Sequence, residues 1–152
     1  MPWTPYARNK ILDAEMRDQA YTYPAQWFVG ILTVTPTDTT GGTEIATSGT
    51  NYARQAVDRS LTAWSGTQGA GTTTASSSTT GTYGESSNNA SIIFPTPTTD
   101  WTLDPAKAVA LGLYTAETGG TLWRYHTLDT PKALLTGDPV YFPTAALKIR
   151  AA

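Results

Sequence analysis

VGILTVTPTDTTGGT (Val29–Thr43) and LGLYTAETGGT (Leu111–Thr121) say nearly the same thing far apart in one chain. Each runs aliphatic, Gly, aliphatic, a larger apolar residue and Thr, then a polar turn that closes on Gly-Gly-Thr. A short apolar run bounded by turn residues reads as a buried strand, so both segments predict strand followed by turn. Gly30 and Gly112 lie inside those strands, where glycine costs packing and entropy and marks a bulge or a close approach of backbones. The expectation is that the two strands are equivalent members of two sheets, meeting where the side chain is missing. Gly41, Gly42, Gly119 and Gly120 are then the turn residues that supply positive φ. All six glycines read as scaffold.

Working outward, strand-like runs follow at 26–35, 51–57 (which 60–64 extends or follows), 91–96, 106–116, 121–127, 132–137, 138–142 and 145–150. About eight short strands without intervening helices predict an all-β fold, an antiparallel β-sandwich or jelly-roll-like barrel. Trp101, in a turn-rich stretch, is expected to plug one end of it. Residues 65–90 are almost wholly Gly, Ser, Thr, Ala and Asn, and read as a long excursion that builds no core.

The beginning of the chain differs. Thr4 caps, Pro5 suits the first helical position, and YARNKILDAEMRDQA follows without a breaker. Ala7, Ile11 and Ala14 share a face, with Leu12 and Met16 beside it. So narrow a stripe needs a surface to lie on. Residues 1–24 therefore form an arm and helix, and 25–152 a single β domain. The helix either covers one end of its own domain or docks on a partner. In the second case Trp3, Tyr6, Arg8, Ile11 and Leu12 are the candidate contacts, because aromatics in a short leader anchor interfaces.

Composition narrows the function. Of 152 residues, 39% are hydrophobic and 14% charged, and the net charge is -2. The basic residues form no run, which argues against a nucleic acid or an anionic membrane as partner. Cysteine is absent, so thiol chemistry and disulfides are excluded. No secretory leader is visible, and no stretch reaches the roughly 20 apolar residues of a membrane span. The expectation is a protein made in the cytosol that stays soluble. His126 is the one histidine and has no motif around it. DTTGGTE (38–44) lacks the alternating oxygen ligands of a calcium loop. GTQGAG (66–71) precedes no helix that would hold a phosphate. We therefore assign no catalytic residue, no metal, no cofactor, no small-molecule substrate and no enzymatic activity.

Several segments together carry a resemblance. ARNKILDAEM (7–16), FVGILTVTPTD (28–38), GGTEI (41–45), YARQAV (52–57), NNASIIFPTPTTDW (88–101), LGLYTAETGGTLWRYHTL (111–128) and LKI (147–149) resemble a group of small tailed-bacteriophage virion proteins. Relatives of this kind are often labelled tail fibre protein, and the chain is also similar to trimeric decoration (cement) proteins of phage heads. The resemblance implies a non-enzymatic virion component on the outer surface, a homotrimer whose partners are the major capsid protein or tail proteins. The favoured expectation is a capsid decoration protein that stabilises the shell. The alternatives are a tail fibre or tail-tip component that contacts the host and, more distantly, a tail-associated glycan hydrolase.

Overall fold

The computed structural model describes residues 2–66, 84–102 and 107–151. Most of the 65–90 excursion lies outside the described residues.

Helix α1 (Pro5–Met16) starts where Thr4 accepts a hydrogen bond from the Ala7 amide at 3.3 Å. It ends sooner than its pattern predicts, because Asp18 turns to φ 53° and Gln19 N–H returns to the Asp13 carbonyl. The strands are β1 (Gln26–Val34), β2 (Thr43–Glu44), β3 (Gln55–Asp58), β4 (Gly84–Ser87), β5 (Ile92–Ile93), β6 (Ala108–Tyr114), β7 (Leu122–Lys132), β8 (Tyr141–Phe142) and β9 (Lys148–Ala151). Every pairing among them is antiparallel. The main sheet runs β2-β1-β6-β7, with β3 sharing the β1 edge that β2 occupies further along. Two small ladders, β4-β9 and β5-β8, complete an all-β sandwich-like fold.

The sheet centre is buried on both faces, which is why FVGIL and AVALGLY read as continuous apolar runs rather than alternating ones. Trp27, Val29 and Ile31 of β1, Leu111 and Leu113 of β6, and Trp123 of β7 face the main core, with Ile92, Phe94, Val140 and Leu147 packed opposite. Leu32, Ala110, Tyr114 and Leu122 form a second cluster on the other face.

The repeated segments are not members of two sheets. They are neighbours in one, and Gly30 is the direct register partner of Gly112. The missing side chains make room for other groups rather than for a second sheet. A Cβ on Gly30 would stand 2.5 Å from Glu44 Oε1 and 3.0 Å from Tyr114 Cε2. One on Gly112 would stand 2.7 Å from both Tyr114 Cε2 and Leu122 Cδ1. The Tyr114 ring lies across the glycine pair, as aromatic rings do over glycine in β-sheets. Of the turn glycines, Gly119 and Gly120 take φ of 62° and 65°, and Gly42 takes 74°. Gly41 departs from the expectation: its φ is not positive, and a Cβ there would meet nothing within 4 Å.

The run expected as a separate strand at 132–137 is not one. Strand β7, expected to end at 127, instead continues to Lys132 and pairs there with Ala108 of β6. Residues 60–64 are a turn, with Trp64 in a single bridge to Asn88. Trp101 is buried edge-on against Tyr52 at 5.2 Å, and its Nε1 donates to Thr50 O at 2.6 Å.

Candidate functional site

Two arrangements stand out, and the first is built by the leader. Pro2, Trp3 and Thr4 run antiparallel along β7: Tyr125 N–H donates to Pro2 O, Trp3 bridges to Arg124, and Thr4 N–H donates to Trp123 O at 3.1 Å. Thr4 Oγ1 also donates to Leu122 O at 2.8 Å. The leader thus acts as a short extra strand that covers an exposed sheet edge. It also brings Trp3 to Trp123, where rings from α1, the segment after it and β1 converge. Trp3, Tyr6, Tyr21, Tyr23 and Trp27 all contact that indole, with Tyr21 stacked on it at 4.8 Å and the others edge-on or tilted. Arg124 is buried, its guanidinium lies 3.0 Å above the Trp3 ring, and Nη1 donates to Arg150 O at 2.8 Å. Burial pulls its pKa down to about 10.

Of the candidate contacts, the structure brings Trp3 and Tyr6 to the same ring. Ile11 packs on the core. Arg8 reaches across to Asp38 in the β1–β2 loop at 2.6 Å, an exposed pair. Leu12 stands apart, 54% exposed, next to Met16 at 75%, and Ala7 is the helix residue that is fully buried. The outer face of α1 is therefore apolar in part and open.

The second arrangement surrounds the glycine pair. Glu44 of β2 takes a bidentate bond from Arg54, with Nε to Oε1 at 2.9 Å and Nη2 to Oε2 at 2.7 Å. Arg54 Nη1 donates to the carbonyls of Ala116 and Gly119 at 2.7 Å each, pinning the β6–β7 turn, and its guanidinium lies 3.5 Å from the Tyr114 ring centre. Tyr52 Oη donates to Glu44 at 2.8 Å and accepts from Ile31 N–H at 2.7 Å, filling the step in the β1 edge between β2 and β3. Burial raises the pKa of both Tyr52 and Tyr114, and the Glu44 carboxylate raises them further. Burial works against the Arg54 cation, but Glu44 together with Tyr114 and Tyr52 more than offsets it and the net shift is upward.

These residues come from GGTEI, YARQAV and LGLYTAETGG, segments that carried the resemblance without an evident reason. The reason is spatial: they meet in one mostly buried polar network that ties β2, the segment before β3 and the β6–β7 turn to the glycine pair. Sequence reading also missed Trp123 and Arg124 as the hub for the leader. The signal was LWR directly after a Gly-Gly turn, where alternation would have placed one of the three outside. His126 is half-buried on β7, and that burial lowers its pKa below 6.5. Among the described residues, no group of three or more His, Cys, Asp or Glu is gathered to hold a metal. No helix among them is long and apolar enough to cross a membrane.

The described residues thus form a small β domain with a covered sheet edge, a pinned β6–β7 turn and exposed apolar side chains. Comparison with known families supplies its class. Residues 2–150 match the family described as podophage GP4 fiber I protein gp80, and the chain belongs to that family. It is thus a structural protein of a bacteriophage virion. No curated protein matches the chain.

Proposed function

We infer that this chain is a building block of a phage tail fibre and carries no turnover chemistry of its own. The observation that carries the reading is the family match, which spans nearly the whole folded chain rather than one motif. The geometry fits that role. Polar residues are spent on rigidity, in the Glu44–Arg54–Tyr52 network, rather than on a reacting centre. Exposed apolar side chains remain for contacts with other subunits: Leu12 and Met16 on α1, and the cross-strand pair Ile93 and Tyr141, exposed at 66% and 58%. Apolar groups so placed anchor assembly interfaces.

Head decoration is the second reading, and one observation favours it. A helix that buries a single residue and presents Leu12 and Met16 outward suits a clamp lying on a broad capsid surface. To separate the readings, purified particles are disrupted, heads and tails are separated, and each fraction is blotted for the chain. The fibre reading expects it with the tails. Recovery with the heads, at a copy number near that of the capsid protein, overturns it.

A further inference from the structure

The aromatic hub leaves an open cleft whose chemistry the fibre role does not require. The cleft encloses about 270 Å³, with Trp3, Tyr23, Trp27, Arg59, Arg124 and Ile149 among its lining residues. That is below the roughly 300–1,000 Å³ of sites for drug-sized molecules, so it admits one ring-sized unit at a time. Its lining includes two arginines and no carboxylate, in a chain whose net charge is -2. The local sign is therefore opposite to the global one.

Arg59 is the accessible cation. Its Nε donates to Pro24 O at 2.9 Å, which fixes the guanidinium and leaves its terminal nitrogens without a protein partner among the described residues. The group lies 5.7 Å from the centre of the Tyr23 ring, and that tyrosine is 40% exposed. The Trp3 ring, also part of the lining, is backed by Arg124. A guanidinium fork matches a carboxylate in bidentate fashion. Aromatic side walls accept a flat, partly apolar ring face while leaving its polar groups in water. The ligand that satisfies both is a pyranose bearing a carboxylate.

We propose that this cleft binds the uronic acid unit of an acidic polysaccharide, with the carboxylate on Arg59 and the sugar face against Tyr23 and Trp3. The proposal holds whether the chain sits on tail or head. It is tested by titrating the full chain with oligogalacturonate hexamer and with neutral maltohexaose, read by tryptophan fluorescence and calorimetry. Saturable binding of the acidic hexamer is expected, at least tenfold tighter than of the neutral one. Arg59→Ala, an exposed substitution checked for an unchanged circular dichroism spectrum, is expected to weaken it about tenfold or more, and Arg59→Lys by less. No saturable response to oligogalacturonate overturns the proposal. So does equal binding of maltohexaose, or unchanged affinity in Arg59→Ala.

Discussion

Glu44→Ala removes one partner of the ion pair beside the glycine pair, and the structure sets the size of the effect. An exposed ion pair is worth about 0–1 kcal/mol. This one is mostly dry, with side-chain exposures of 9% for Arg54 and 19% for Glu44. Breaking a buried pair from one side costs about 3–5 kcal/mol, because a charge is left uncompensated. Arg54 keeps the Ala116 and Gly119 carbonyls and the Tyr114 ring, so the low end, about 3 kcal/mol, applies. Tyr52 also loses its acceptor. For a chain of this length the melting temperature should fall by about 6–12 °C. Urea unfolding followed by tryptophan fluorescence measures the change. Arg54→Met and the double substitution complete a cycle whose coupling energy should reach about 2 kcal/mol, since replacing both partners removes the stranded charge. A Glu44→Ala loss below about 1 kcal/mol, or additive single effects, would mean that the pair behaves as an exposed one.

Three other outcomes follow from the packing and the titrating groups. Trp101→Ala should cost about 3–5 kcal/mol, because the indole is buried against Tyr52 and donates to Thr50 O; an unchanged urea midpoint would place it outside the core. Tyr21, Tyr52 and Tyr114 have pKa values raised above 10.0, with burial the largest cause in each. Their contribution is full below pH 10 and is lost as pH rises above it, because the unfolded chain ionises first. Absorbance at 295 nm should therefore show a set of tyrosines ionising only as β-structure is lost, and full titration near pH 10 with intact circular dichroism would contradict this. The Asp100 carboxyl is held below 3.8 by the Thr136 amide and hydroxyl. Its contribution is present above pH 3.8 and is lost as pH falls further, so Asp100→Asn should flatten the acid limb of a stability profile measured by urea unfolding.

The fold class was legible because strand runs and turn glycines are local signals. FVGIL and VALGLY marked the two central strands, and Thr4-Pro5 marked the helix start. What stayed hidden depends on which strands are neighbours. Two similar strands are as compatible with adjacent places in one sheet as with two sheets, and only the register shows Gly30 facing Gly112. The polar network is nonlocal for the same reason: Arg54 meets Glu44 and the turn near Gly119 only after β1, β2 and β6 have assembled. The leader was ambiguous between covering its own domain and docking elsewhere. Trp3 and Thr4 turn inward to β7 because Trp123 and the free edge are there to receive them, whereas Leu12 and Met16 have no such receiver among the described residues.

The place of the chain in the virion is read most directly by labelling intact particles with a gold-conjugated antibody against it and imaging them by electron microscopy. Gold confined to the tail and its fibres is the expected result for a fibre subunit. Gold distributed over the head in many copies would contradict it.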